Sequence, residues 1–287
     1  NTRAHNTMLI NGIGQPFTPD AYGYIVRMFN GDNISYALGD ASTAYCGISN
    51  IRLWKRSFEK YHLTQTPENG FGETPLKKYR RHIFLLHPNK VVIYDELEAN
   101  EKVRWDWLLH SPVKFDINPT ASILTTVNKE KGFSSVVQLF CEQEAAITQT
   151  DKYAAPPNHA DAQRGEDFTD PWSLTASFGP SRNNRILTII QVEADGRQAV
   201  QIMREGNTFR CGEWVIEAEL NAKRPGRLYI RNSRNNAVFS YGDKKPEING
   251  ELYSCKEKDA SVLFDCVNGE WMVQEMGDQR VQTMGKW

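Results

Sequence analysis

Tight-turn dipeptides divide this sequence into short segments, and they restrict its possible folds more than any other feature. Asn-Gly and Asp-Gly pairs occur at Asn11-Gly12, Asn30-Gly31, Asn69-Gly70, Asp195-Gly196, Asn249-Gly250 and Asn268-Gly269. Residues of these types tolerate the positive φ angles that hairpin turns require. The segments between the turns are rich in β-branched and aromatic residues, for example at 91–94, 187–192 and 262–264. The pattern therefore predicts an all-β protein.

One segment, residues 51–62, fits two interpretations. Trp54, Phe58 and Tyr61 recur at helical spacing, whereas the alternation of Ile51 and Leu53 fits a strand. We favour the strand, since helical periodicity is scarce in the rest of the sequence.

Length and charge exclude several classes of protein. The chain has 287 residues, of which 40% are hydrophobic, and this is enough for a large buried core. Lysine and arginine number 34 against 35 acidic residues, so the net charge is −1. This balance argues against a dedicated nucleic-acid-binding protein, which carries a basic excess. No run approaches the roughly 20 apolar residues of a membrane-spanning helix.

Motifs of common enzyme and metal-binding classes are missing from the sequence. The five cysteines include no C-x-x-C pair. The sequence contains no G-x-S-x-G, P-loop, Rossmann fingerprint or H-E-x-x-H motif. Hydrolase, nucleotide-binding and zincin interpretations therefore lack support.

The spacing of the turns predicts two domains. After residue 192 the strand-like segments become shorter and the turns denser. We expect a β-sandwich domain at residues 1–200 and a small β-sheet domain at residues 201–287. The polar, proline-bearing segment 151–171 predicts a long surface loop within the first domain.

Three segments, in order along the chain, resemble one known family. Residues 3–12 contain R-A-H-N-T, an apolar strand and a turn glycine, with Gln15 after them. Residues 36–45 contain a G-D-A segment, and residues 81–96 contain R-H-I-F-L-L followed by V-V-I-Y-D-E. Together they resemble the β-rich C-terminal portion of the heparinase II/III-like polysaccharide lyases. The resemblance implies a large antiparallel β-sandwich of the supersandwich type, followed by a smaller C-terminal β domain.

The resemblance also implies a role for His5 as a metal ligand. In family members that bind zinc, the histidine of the R-A-H-N-T segment is one ligand, and a histidine and an aspartate supply the others. Zinc takes four ligands, so His5 alone forms an incomplete site. We therefore expect structural zinc only in the full-length protein, and in this chain we favour a simple hydrogen-bonding role for His5.

The reaction implied by the family is β-elimination on a polysaccharide that contains uronic acid. A base removes the C5 proton of the sugar and an acid protonates the departing O4. The resemblance places both groups mainly in a preceding helical toroid domain, so we assign no catalytic residue in this chain. Arg3, Asn6 and Gln15 flank His5 and are candidates for the wall of the substrate cleft; structural hydrogen bonding is the alternative.

Further residues have both functional and structural interpretations, and we favour the structural one for each group. Four tyrosines near the matching segments are candidates for the cleft: Tyr22, Tyr24, Tyr36 and Tyr45. The basic cluster at residues 77–82 has the charge to steer an acidic glycan. Trp54, Trp172 and Trp214 are possible sugar-stacking platforms. In the strand around 104–110, alternation places His110 on the face opposite Trp105 and Trp107.

Two other functional classes stay open. One is a non-catalytic carbohydrate-binding or scaffold module of a secreted glycan-degrading protein. The other is a self-sufficient sandwich enzyme of the mutarotase type, which needs a histidine and an acid on one concave face. We favour a lyase fragment that is inactive without its N-terminal α-toroid domain, with an acidic polysaccharide as its partner. By the family resemblance, the full protein is expected to be secreted or periplasmic.

Overall fold

The computed structural model describes residues 2–49, 55–118, 122–153, 171–194, 197–232, 234, 236–242, 245–248, 251–256 and 260–278. Most of the predicted loop at 151–171 lies outside these residues. The same is true of Trp54 and of the turns at Asp195-Gly196 and Asn249-Gly250.

A ten-stranded antiparallel sheet forms the first part of the chain. Its strands are β1 (Met8–Ile10), β2 (Tyr24–Asn30), β3 (Ile34–Asp40), β4 (Leu76–Leu86), β5 (Lys90–Ser111), β6 (Asp116–Asn118), β7 (Ile123–Asn128), β8 (Phe133–Phe140), β9 (Ala145–Thr150) and β10 (Trp172–Ala194). The main path runs β2-β3-β4-β5-β10-β8-β7-β6, while β1 pairs with β5 and β9 with β10. The long strands β5 and β10 therefore connect all parts of this sheet.

A second sheet of seven antiparallel strands follows. Its strands, in their order across the sheet, are β11 (Ile202–Glu205), β12 (Thr208–Cys211), β13 (Trp214–Ala218), β14 (Leu228–Asn232), β15 (Ala237–Tyr241), β18 (Ser261–Val267) and β19 (Glu270–Met276). A short hairpin of β16 (Glu247–Ile248) and β17 (Glu251–Leu252) lies between β15 and β18 along the chain.

The all-β prediction is confirmed, and the turns explain part of it. Asn11 and Gly12 both have positive φ angles (53° and 81°), and so do Asn268 and Gly269 (53° and 85°). The second pair closes the hairpin of β18 and β19. The local turn chemistry read from the sequence therefore operates in the fold.

Over residues 55–60 the favoured strand interpretation is wrong. The single α-helix of the described residues, α1, spans Lys55–Lys60. The ring of Phe58 packs edge-on against Phe71, with centroids 5.4 Å apart. The partner of the helix is thus distant in sequence, and the local pattern did not reveal it.

Strand β5 bends back on itself, as the two hydrogen-bond partners of Asn6 show. The side-chain oxygen of Asn6 accepts a hydrogen bond from the backbone N–H of His110 (2.9 Å). The backbone carbonyl oxygen of Asn6 accepts one from the Arg81 side chain (2.7 Å). Arg81 pairs with Asp95, which belongs to the same strand as His110. Straight β-strand between Asp95 and His110 would span about 50 Å, at roughly 3.3 Å per residue. One asparagine cannot bridge that distance, so the two halves of β5 approach each other.

The described residues form three hydrophobic clusters, of which two are large. The first lies between the two sheets and includes Phe29, Tyr94 and Leu187 of the first sheet and Phe209, Trp214 and Phe239 of the second. The second core lies within the bent first sheet and includes Tyr79, Leu97, Trp105, Trp107 and Phe178. The chain passes from the first sheet to the second between β10 and β11, close to the predicted domain boundary at residue 200. Because the sheets share a core, the division into domains remains a prediction.

A directed chain of hydrogen bonds crosses the interface between the sheets. The Glu96 carboxylate accepts only, so Nε2 of His82 donates to it (3.1 Å). Nδ1 of His82 then accepts from the Tyr36 hydroxyl (3.0 Å), which in turn contacts Ser261 of the second sheet (3.3 Å). Tyr241, also of the second sheet, donates to Glu96 (2.7 Å). These polar contacts fix the sheets relative to each other.

Candidate functional site

The segment that carries His5 lies at the bend of the first sheet and is held by its backbone. A 3-10 turn spans Thr2–Ala4. The His5 N–H donates to the Thr2 carbonyl (3.1 Å), and the His5 carbonyl accepts from the Thr7 N–H (3.0 Å). The Thr7 carbonyl then accepts from the N–H of Leu108 (2.8 Å), at the edge of β5. The conformation around His5 is therefore fixed on both sides.

His110 holds the same segment from the end of β5. Its Nδ1 lies 2.9 Å from Oδ1 of Asn6, and its Nε2 lies 2.8 Å from the carbonyl oxygen of Arg3. Burial lowers the pKa of His110, the hydrogen bond to Arg3 opposes this, and the nearby His5 adds to the lowering. His110 occupies the face opposite the buried Trp105, as the alternation of the strand predicts.

Arg81 supports the segment from the other half of the bend. Its guanidinium forms a two-point ion pair with the buried carboxylate of Asp95, at 2.7 and 2.9 Å. Such bidentate pairs fix the orientation of the arginine as well as its charge. A remaining N–H of Arg81 donates to the Asn6 carbonyl. In the same segment, the Thr7 hydroxyl lies 3.4 Å from the hydroxyls of both Tyr45 and Tyr79.

The structure gives the proposed cleft residues different environments. His5 is exposed. The Asn6 side chain is engaged by His110, and Arg3, half-buried, donates to the Gly12 carbonyl (3.3 Å). Gln15 exchanges backbone hydrogen bonds with the Thr2 hydroxyl. The structure thus brings the four residues together, with His5 and Asn6 exposed, Arg3 and Gln15 half-buried, and the Asn6 side chain against His110.

The residues around His5 do not complete a zinc site. Zinc sites in proteins use three or four cysteine, histidine or carboxylate ligands. In the part of the chain that the structure describes, no three such side chains converge. His110 is the nearby imidazole, and both of its ring nitrogens already face protein oxygens. His5 is an exposed single donor, so any metal held there requires ligands from outside the described residues.

Two of the four candidate tyrosines are inside the protein. Tyr36 lies between the two sheets and Tyr45 in the second core, where its hydroxyl donates to the Met8 carbonyl (2.6 Å). Burial raises the pKa of Tyr45 to about 12 and raises that of Tyr36 as well. Neither hydroxyl can reach a polysaccharide. Tyr22 is exposed and Tyr24 half-buried.

Ion pairs neutralise the basic cluster at residues 77–82. The cations and their carboxylates are Lys77 with Glu98, Lys78 with Glu96, Arg80 with Asp40 and Asp278, and Arg81 with Asp95. Paired cations attract an acidic glycan weakly, which supports the structural interpretation of this cluster.

The other aromatic and histidine candidates also have structural environments. Trp214 is buried in the first core. Trp172 is half-buried against the second core, and the Lys114 ammonium lies 5.1 Å from its ring centroid. The fully buried His82 donates a hydrogen bond to Glu96 (3.1 Å). Because this histidine–carboxylate pair is inaccessible, it does not supply the concave-face site that a mutarotase-type enzyme requires.

Sequence reasoning missed the contacts that organise the site. The ring contacts of His110 and the pairing of Arg81 with Asp95 both depend on the bend in β5. Alternation identified the face of His110, and the R-H-I-F-L-L segment included Arg81. Neither signal showed that the two residues hold the same N-terminal segment.

Comparison with known proteins agrees with the fold. The family model described as "Heparinase II/III-like, C-terminal" matches residues 1–247. A solved structure of the "Heparinase III-BT4657 gene product" with methylated lysines aligns over 92% of this chain and 30% of its own, at 12% identity and a TM-score of 0.52. A second structure of that protein aligns over 80% and 30%, at 12% identity and 0.51.

A heparan sulfate lyase HepC mutant from Pedobacter heparinus aligns over 88% of this chain and 30% of its own, at 11% identity and a TM-score of 0.49. The chain thus spans about 30% of the length of these solved structures. A search of curated proteins gave no match. Within the described ranges, no helix is long and apolar enough to cross a membrane. With the family model matching most of its length, the chain belongs to the heparinase II/III-like C-terminal family.

Proposed function

We propose that this chain forms one wall of the substrate cleft in a longer polysaccharide lyase that cleaves glycans containing uronic acid. The observation that carries the proposal is the R-A-H-N-T segment. It is anchored to both halves of the bent sheet, and it presents His5 to solvent. A rigid segment with one outward imidazole suits contact with a ligand, whereas a purely structural turn needs no such side chain.

The proposed reaction is β-elimination. A base removes the C5 proton of the uronate, the electrons form the C4–C5 double bond, and the C4–O4 bond breaks as an acid protonates O4. The buried Tyr36 and Tyr45 do not serve as the base. The base and acid come mainly from an N-terminal α-toroid domain, while this chain supplies His5 and the adjoining surface of Arg3, Asn6 and Gln15.

Three further features belong to this proposal. The partner is an acidic polysaccharide, and the longer protein is secreted or periplasmic, like the family it resembles. Within the longer protein His5 supplies one ligand to a structural zinc ion, with the remaining ligands from outside the described residues. The exposure of His5 supports this, since its ring is accessible to further ligands.

The test compares two proteins on a panel of acidic polysaccharides, heparan-type and alginate-type included. One is this chain of 287 residues, and the other is the longer protein that contains it. The measurement is the ultraviolet absorbance of the unsaturated uronate product. We expect product only from the longer protein. Product from this chain alone would overturn the role of a partner domain. Binding by both without product would favour a non-catalytic carbohydrate-binding or scaffold module.

A further inference from the structure

The outer face of the first sheet, which points away from the second sheet, carries a row of apolar side chains. The pairing of β2 to β5 places Met28 beside Ala37, Ala37 beside Ile83, and Ile83 beside Ile93. In each of these strands a directly adjoining residue belongs to the first core, so the row lies on the opposite face. The row spans about 14 Å, at roughly 4.8 Å between neighbouring strands.

A second apolar row lies beside the first, two residues further along the strands. The register places Leu85 beside Val91, and Val91 beside Ile190. Leu85 and Ile83 are separated by one residue of β4 and therefore share a face of the sheet. The two rows together are named the apolar face, which consists of Met28, Ala37, Ile83, Leu85, Val91, Ile93 and Ile190.

The apolar face is covered on one side and open on the other. Beside Ile93 lies the fully buried Thr188, and beside Thr188 lies Leu139 of the second core. In the opposite direction Ile83 is 42% exposed and Met28 is 65% exposed. The bent half of the first sheet thus covers the face at β8 and β10 and leaves the side of β2 to β4 in solvent. A contiguous apolar patch of this kind marks contact with another surface.

The chemistry of the apolar face suits a polypeptide better than an acidic glycan. None of its seven side chains carries a charge or a hydrogen-bonding group. Arg81 lies at its border, but its guanidinium is paired with Asp95 and donates to the Asn6 carbonyl. An acidic polysaccharide is attracted by unpaired cations. The occupant is therefore expected to be an apolar protein surface.

The N-terminal segment of the chain reaches the border of the apolar face. Arg81, which holds the Asn6 carbonyl, is about 7 Å from Ile83 on the same face of β4. The Thr2 hydroxyl exchanges hydrogen bonds with the backbone of Gln15, which fixes the start of the segment. A polypeptide joined to this segment therefore begins close to the face. The chain spans 30% of the length of the solved structures described above, so most of a protein of that kind lies outside it.

We infer that the apolar face is the docking surface for the part of the longer protein that directly precedes this chain. That part packs an apolar layer of its own against β2, β3 and β4. The inference rests on the proposed function, in which this chain belongs to a longer lyase. Docking here places the preceding part next to the N-terminal segment, where the proposed cleft is formed.

The test measures how fast a cysteine on the apolar face reacts with a maleimide, in this chain and in the longer protein. Ile83→Cys is the first probe, and Leu85→Cys is a second at another exposed position. Val127→Cys, at an exposed residue of β7 outside the face, is the matched control. Mass spectrometry of the labelled peptides distinguishes each probe from the five native cysteines.

We expect the three variants to react at similar rates in this chain. In the longer protein, Ile83→Cys and Leu85→Cys should react at least about tenfold more slowly, because labelling then requires opening of a packed interface. Val127→Cys should react at the same rate in both proteins. Equal rates for the two probes in both proteins would overturn the inference, as would equal slowing of the control.

The remaining outcomes identify a different occupant or separate the inference from the proposed function. A labelling rate that falls as the concentration of this chain rises would overturn the inference and indicate a second copy on the face. Protection of both probes in a longer protein without lyase activity would support the docking and refute the proposed function. An active longer protein with unprotected probes would refute the docking alone.

Discussion

At the scale of single residues, His82 is the histidine that links Glu96 to Tyr36 between the two sheets. It is fully buried, and its Nε2–H faces Glu96 while its Nδ1 accepts from Tyr36. Burial lowers the pKa of His82 below its ordinary value of 6.5, against the opposing pull of Glu96. Burial alone would raise the pKa of Glu96, but His82, Lys78 and Arg185 hold it well below 4.5.

The lowered pKa of His82 predicts that acid destabilises the protein. The unfolded chain protonates His82 near its ordinary pKa, whereas the folded chain resists protonation. The stability that His82 contributes is therefore complete above about pH 6.5 and is lost as the pH falls below it. Between pH 7.5 and 5.5 the loss is up to about 1.4 kcal/mol. Urea unfolding at the two pH values measures it.

The control for this prediction is His82→Gln, which keeps an N–H donor for Glu96 without a titrating ring. Its unfolding free energy should depend less on pH over the same range, retaining the contribution of His110, whose pKa is lowered in the same direction. An equal pH dependence in the parent and in His82→Gln would contradict the assignment.

The sequence predicted the features of single residues that depend on their immediate neighbours, and it did not predict those that depend on distant parts of the chain. The positive φ angles at Asn11 and Asn268 follow from residue type and neighbouring glycine. The burial of Tyr36 and Tyr45 depends on strands and loops far away in the chain, so proximity in sequence to the R-A-H-N-T segment was no guide to their position.

At the scale of elements, a buried carboxylate of the second sheet binds the turn between β2 and β3. Asp265 of β18 is fully buried and accepts from the backbone and side-chain amides of Asn33 (2.9 and 2.5 Å). A Cβ at Gly31 would lie 2.0 Å from the Asp265 carboxylate. The glycine of this turn is therefore required by close approach of another strand.

Asp265→Ala should lower the free energy of unfolding by about 2–4 kcal/mol, because it leaves buried amide donors without an acceptor. Gly31→Ala should also be destabilising, through its clash with Asp265. In the Asp265→Ala background the clash is absent, so the second substitution should cost much less. Urea unfolding of the four proteins tests this, and purely additive effects would contradict the contact.

The elements illustrate what the sequence could and could not predict. Strand content was predictable from turn dipeptides and β-rich runs. The bend in β5 was not, because it is defined by distant partners: Asn6 joins His110 to Arg81 and Asp95. The candidate site lies in that bend. Its residues were therefore identified by motif, while their contacts required the fold.

At the scale of the whole molecule, the two sheets share one core, and this predicts joint unfolding. Phe29 of the first sheet and Phe239 of the second have ring centroids 6.5 Å apart. Separation of the sheets would expose both rings along with the rest of the first core. Tryptophan fluorescence and far-ultraviolet circular dichroism should therefore report one urea transition. Two separate transitions would contradict this and favour independent domains at 1–200 and 201–287.

The central claim is that this chain contributes His5 to a lyase cleft. The most direct measurement is the rate of unsaturated uronate formation by the longer protein with His5→Ala, beside the matched control His87→Ala. We predict that His5→Ala lowers the rate about a hundredfold while the control stays near the parent, because it removes a proposed ligand of the structural zinc ion beside the cleft, and loss of even the outer partners of metal ligands typically costs about 10–100-fold. If His5→Ala retains the full rate, the segment is structural and the account is wrong.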